Sequence, residues 1–204
     1  MSVHPTQTAA WADFDNDGWL DLFVGHESAS DDPHPSQLFH NNHNGTFTEI
    51  GAQNGLADLG FVKGVAWGDF NNDGRPDLYV SIRGAGNRLF RNDGPRNPEH
   101  PQPTRWMFTD VTAEAHVAEP RYSFATWFFD YDNDGWPDIF VAAYSIQSVN
   151  DVGSFEVGHL HHAELPRRYH NNRNGTFTDV TAAVHLDRAI LTMGANFGDL
   201  DNDG

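Results

Sequence analysis

Asp130, Asp132 and Asp134 stand at alternate positions of the run D-Y-D-N-D-G-W-P-D, with Gly135 and Asp138 behind them. Carboxylates gathered in one short loop repel one another, by about 1 kcal/mol per pair at ~4 Å even at the dielectric constant of water. A hard divalent cation reverses that balance. Calcium takes about six to eight oxygens at roughly 2.3–2.6 Å, supplied by carboxylates, amide oxygens and backbone carbonyls. Asp130, Asp132 and Asp134 then fill loop positions one, three and five, Trp136 offers its carbonyl at position seven, and Asp138 closes the cage at position nine. Gly135 at position six admits the sharp turn, because it has no Cβ to forbid positive φ.

The first six positions match the start of an EF-hand loop, D-x-[DN]-x-[DN]-G. The acid at position twelve and the flanking helices of that motif are missing, and the β-prone run Ile139-Phe140-Val141 follows instead. Many protein oxygens on a flexible loop suit calcium better than the smaller, stricter magnesium ion. The ion's role is read as structural, since no general base or nucleophile recurs beside the loop.

The loop is one of a series. It occurs at Asp13-Phe14-Asp15-Asn16-Asp17-Gly18-Trp19-Leu20-Asp21 and at Asp69-Phe70-Asn71-Asn72-Asp73-Gly74-Arg75-Pro76-Asp77. It begins again at Asp199-Leu200-Asp201-Asn202-Asp203-Gly204. Short aromatic and β-branched runs flank each copy: Ala9–Ala12 and Leu20–Val24, Gly64–Gly68 and Leu78–Ile82, Phe124–Phe128 and Ile139–Ala143, with Gly194–Gly198 before the last. Bounded by Gly, Asp and Pro, these read as strands. A second motif follows each complete loop: Leu38-Phe39-His40-Asn41 with Gly45-Thr46-Phe47-Thr48-Glu49, Leu89-Phe90-Arg91-Asn92 with Phe108-Thr109-Asp110-Val111-Thr112, and Tyr169-His170-Asn171 with Gly175-Thr176-Phe177-Thr178-Asp179. The Asn-Gly pairs inside it are hairpin signals. In the second copy a Pro-rich insertion, Pro95–Arg105, replaces the tight turn.

Each repeat therefore reads strand, metal loop, strand, connection, strand, turn, strand. Four antiparallel strands per repeat of about 60 residues is the sequence form of a β-propeller blade. The expected fold is all-β: a partial propeller of about three and a half blades, one domain over 1–204. Blades are placed near 8–51, 62–113 and 122–182, with the start of a fourth at 190–204. Three complete blades cannot close a ring of the usual four to eight, so the chain is read as part of a larger ring, taken as seven-bladed, whose remaining blades it would pack against.

The chain has 204 residues and a formal charge of −17, and 14 of its 29 Asp and Glu lie in the four loops. The acidity is mostly a metal signature, and it argues against nucleic-acid binding, which asks for a basic face. There is no cysteine, so disulfides and zinc-thiolate sites are excluded. No stretch approaches a membrane span, and Met1–Pro5 has no signal-peptide pattern.

The combination D-x-[DN]-x-D-G-x-x-D, [LY]-[FY]-x-N and G-x-F-x-[DE]-[VI]-T resembles the FG-GAP/VCBS repeat family, the calcium-bearing blades of integrin-α-like propellers. It looks most like the VCBS proteins that carry an ASPIC/UnbV domain. The resemblance runs from about Ala9 to Gly204. It implies calcium ligands at Asp13, Asp15, Asp17 and Asp21, at Asp69, Asn71, Asp73 and Asp77, and at Asp130, Asp132, Asp134 and Asp138. Trp19, Arg75 and Trp136 would give carbonyls, and Asp199, Asp201 and Asp203 the first ligands of a fourth site. Asn71 removes one charge and should make the second site the weakest. The family usually serves as a binding or adhesion scaffold, which implies an unidentified protein or carbohydrate ligand. Loops that need free calcium at about 10⁻⁴–10⁻³ M fit an extracellular, cell-surface or periplasmic setting.

Other features are weighed against this frame. His159, His161 and His162, near Glu156 and Glu164 in the long Tyr144–Arg168 connection, could bind zinc or run acid–base chemistry, and an enzyme of hydrolase type built there is the alternative function. Their spacing matches no standard zinc pattern such as H-E-x-x-H, so a solvated insertion is preferred. A calcium-dependent self-assembling surface protein is a third class. His40 and His170 hold equivalent repeat positions, which favours a structural rim role. Trp11 and Trp67, two residues ahead of their loops, are expected in the core between blades, and Trp19 and Trp136 at the loop tips are expected to be exposed.

Overall fold

The computed structural model describes residues 4–144 and 164–188. Twelve strands form three four-stranded antiparallel sheets. The first holds β1 (Thr6–Ala12), β2 (Asp21–His26), β3 (Gln37–Asn41) and β4 (Phe47–Glu49) in that order. The second holds β5 (Val62–Gly68), β6 (Asp77–Ile82), β7 (Arg88–Pro95) and β8 (Trp106–Asp110), and the third β9 (Ser123–Phe129), β10 (Asp138–Ala143), β11 (Arg167–Asn171) and β12 (Phe177–Asp179). Among the described residues helix is limited to α1 (Thr112–Ala115) and a 3-10 turn at Pro103–Arg105. This is the all-β, blade-like architecture expected from the repeats, and the sheets do not close into a ring among the described residues.

The sheets pack face to face, with β1 beside β5 and β5 beside β9. One apolar cluster fills the first interface, around Phe14, Phe23, Leu38, Val62, Leu78 and Trp106. Another fills the second, around Phe70, Tyr79, Leu89, Ile139, Tyr169 and Phe177. Position decides the sequence of the middle strand. β6 has neighbours on both faces and is buried throughout as Asp-Leu-Tyr-Val-Ser-Ile, whereas β2 alternates between buried and half-buried for most of its length. A strand covered on both sides can bury an almost continuous apolar run. The inner strands approach so closely that a Cβ on Gly64 would sit 2.5 Å from the Phe124 carbonyl oxygen.

Trp11 corrects one expectation. It is 55% exposed, on the face of the first sheet turned away from the second, with its ring 6.1 Å from that of exposed Phe47. The equivalent pair, Trp67 and Phe108, packs 6.2 Å apart against the first cluster. The aromatic pair is a repeated interface element: its third copy, Phe128 and Phe177, likewise packs against the second sheet, at Tyr79 and Phe70, whereas the first copy has no sheet beyond it among the described residues.

Candidate metal centres

Each acidic loop joins the first two strands of its sheet. Position nine is the first residue of the returning strand, so Ala12 pairs with Asp21, Gly68 with Asp77 and Phe129 with Asp138. Position one folds the loop. Asp13 accepts the backbone N–H groups of Asp17 (2.9 Å) and Gly18 (2.8 Å), Asp69 those of Asp73 (2.9 Å) and Gly74 (2.8 Å), and Asp130 those of Asp134 (3.0 Å) and Gly135 (2.7 Å). Position five accepts the N–H of position seven, from Trp19, Arg75 and Trp136. The bend needs two left-handed residues, and both recur: Asn16, Asn72 and Asn133 at position four (φ 57, 53 and 55°) and Gly18, Gly74 and Gly135 at position six (φ 91, 85 and 85°). Asn tolerates this region best after Gly.

Position nine reaches furthest. Asp77 is fully buried and accepts the N–H of Phe70 at 3.0 Å and of Asn92, on the third strand, at 2.7 Å. Asp21 does the same with Phe14 and Asn41, and Asp138 with Tyr131 and Asn171. The Asn on the third strand then crosses the interface: Asn92 donates its amide to the Phe14 carbonyl at 2.8 Å, and Asn171 to the Phe70 carbonyl at 2.8 Å. One carboxylate thus fixes loop, sheet and neighbouring blade together.

In two loops three of the four expected carboxylates come together, leaving Asp21 and Asp134 outside those sets. Asp13, Asp15 and Asp17 bring oxygens within 4.8 Å of one another, as do Asp130, Asp132 and Asp138. In the second loop Asn71 donates to Asp73 at 2.9 Å, and the same Asp73 oxygen meets the Arg75 guanidinium at 2.5 Å. The electrostatics are those of acids held together against their charge. Burial, aggravated by neighbouring aspartates, pushes Asp15 up to about 6 and Asp77 up to about 8, despite the N–H groups that Asp77 accepts. Burial also raises Asp21 and Asp138. Asp15 Oδ1 is buried with no hydrogen-bond partner. Hard oxygen donors, unpaired and crowded, fit a divalent cation of the calcium class.

Several functional details escape a reading of the sequence. Each position-five aspartate among the described residues has a basic side chain beside it: His43 Nε2 lies 2.5 Å from Asp17, Arg75 of the same loop holds Asp73, and Arg173 sits 2.6 Å from Asp134, holding its carboxyl below the usual range. His43 and Arg173 occupy matching left-handed positions (φ 61° each) within the β3–β4 and β11–β12 turns. The Asn-Gly pairs lie in these longer turns, closed by Asn42 to Thr46 and Asn172 to Thr176. Trp19 is 49% exposed and stacks on His43, with centroids 5.2 Å apart, whereas Trp136 is half-buried and lines a groove of about 550 Å³ between the second and third blades. Asp199, Asp201 and Asp203, His159, His161 and His162, and the start of a fourth blade lie outside the described residues. No helix among the described residues is long and apolar enough to cross a membrane.

The profile of the FG-GAP-like repeat matches residues 13–80 and 130–204. Cartilage acidic protein 1 of Xenopus tropicalis is 28% identical over 152 residues, covering 73% of this chain. The chain spans 21% of that protein's length.

Proposed function

This chain belongs to the FG-GAP-like repeat family, a family of β-propeller-type binding modules, and from that premise we propose that it is a calcium-stabilised binding or adhesion module working outside the cytoplasm. The observation that carries the reading is the threefold recurrence of position-nine aspartates, Asp21, Asp77 and Asp138, each buried at the junction of loop, returning strand and third strand. An ion held by these and the loop carboxylates supplies positive charge where burial makes ionised aspartate costly. The chain's own residues do the rest. The position-one carboxylates shape the turn, and Asn92 and Asn171 tie the second and third blades to the loop of the preceding one. The module's ligand is a protein or carbohydrate met where free calcium is about 10⁻⁴–10⁻³ M.

Calorimetric titration of chelator-treated protein with calcium tests the proposal, followed by screening of immobilised protein against matrix proteins and glycans with calcium or with EDTA. Saturable calcium uptake and calcium-dependent capture are expected. An absence of heat and of uptake at millimolar calcium would refute the calcium part; capture indifferent to EDTA would refute its link to binding.

A further inference from the structure

The three loops differ in what stands over them. The first alone among the described residues carries two imidazoles, His40 and His43; the third has His170 and Arg173 in those places, and the second has Arg91 at the His40 position. Donor atoms of Asp17, His40 and His43 lie within 4.8 Å of one another, and so do those of Asp15, Asp21 and His40. His40 Nδ1 is 3.2 Å from Asp21 Oδ1 and 3.6 Å from Asp15 Oδ2, yet it is buried and makes no hydrogen bond. Asp15, its side chain 7% exposed, has a buried and unpartnered Oδ1. Each set is close enough to share an ion; His43 Nε2 already meets Asp17 at 2.5 Å, whereas His40 Nδ1 and Asp15 Oδ1 have no partner.

Beside them is a pocket of about 220 Å³, lined by Asp15, Asp17 and His40 and walled by Pro101, Pro103 and Trp106 of the second blade's insertion. Both rings are held in place from outside the cluster: Trp19 stacks on His43, and the edge of Phe14 meets His40 at 6.3 Å. Packing of this kind fixes ligands before the ion arrives.

We propose that the first loop is a mixed nitrogen–oxygen site for a borderline divalent ion of the zinc class, bound by His40, His43 and Asp17 with Asp15 alongside, while the other loops remain hard-cation sites. Imidazole is a good ligand for zinc and a poor one for calcium, and two imidazoles with carboxylate form a common zinc donor set. This inference rests on the reading of the loops as cation sites, and goes beyond it in assigning the first a different metal.

The test is titration of the chain with cobalt(II) in saturating calcium, read by visible absorption, then displacement by zinc against a competing chelator. Wild type should show one nitrogen-ligated cobalt band that zinc removes. His40→Gln and His43→Gln should each weaken zinc binding by about a hundredfold, and changing His159, His161 and His162 together to Gln should leave it unchanged. Each variant is matched to wild type by its melting temperature in calcium; if His40→Gln does not fold, His43→Gln carries the test, since its side chain is 44% exposed. Zinc uptake unaltered by these two substitutions would overturn the proposal. So would no uptake by wild type while calcium still raises its melting temperature, a result that leaves the calcium reading standing. No response to either metal would overturn both.

Discussion

Asn16, in the first acidic loop, donates its side-chain amide to the carbonyl oxygen of Gly74, in the second, at 2.8 Å. Asn72 repeats the gesture toward Gly135 of the third loop at 2.9 Å. Position four of one loop is thereby tied to position six of the next, and the loops form a hydrogen-bonded series along one edge of the sheets. An ion that orders one loop fixes the acceptor, or the donor, used by its neighbour.

Asn72 should therefore matter twice, for its backbone and for its reach. Asn72→Ala is expected to cost about 1–2 kcal/mol, from a left-handed backbone without Asn and one lost hydrogen bond. Asn72→Gly keeps the backbone and should cost less, yet should equally uncouple calcium binding at the second and third loops. Urea unfolding and calcium titration of the pair separate the two effects.

Asn92 should be among the least replaceable polar residues. Its amide serves the Phe14 and Pro76 carbonyls, and its Oδ1 accepts Trp106 Nε1 at 2.5 Å. Asn92→Ala strands those groups in a buried interface and should destabilise the fold by about 2–4 kcal/mol, measured by chemical denaturation. Asn92→Asp should not rescue, because the carboxylate cannot donate to either carbonyl.

Stability of the calcium-free chain should fall as pH rises. Asp15 and Asp77 have folded values of about 6 and about 8 against 3.8 for the free side chain, and Asp21 and Asp138 shift the same way. The fold then binds protons that the unfolded chain has released, so unfolding becomes easier from about pH 4 up to about pH 8. Ion binding competes with those protons, and calcium's stabilising effect should grow across the same window. Melting curves at stepped pH, with and without calcium, check both slopes.

The architecture was legible because each repeat writes one pattern several times. Strand runs around Trp67 and Leu78, and aspartates at odd loop positions, follow directly from alternation and ligand chemistry. Interactions between repeats were less legible. Nothing in the spacing of Asn92 says that it crosses to Phe14, although its recurrence as Asn41 and Asn171 was visible. His43 carries no signal in the sequence; only the fold returns it to Asp17. Trp11 misled because its type reports an interface, while its exposure depends on what lies beyond the first sheet.

The central claim is that a cation secures the junction of loop, sheet and neighbouring blade. Its most direct measurement is the melting temperature of the chelator-treated chain as calcium is raised to millimolar levels, with Asp77→Asn and Asp138→Asn alongside. Binding to the native state alone stabilises by about 2.7 kcal/mol per site at a hundredfold excess over Kd, so wild type should melt at progressively higher temperature and each variant should lose part of the increment. A melting temperature that does not move at millimolar calcium would contradict the account.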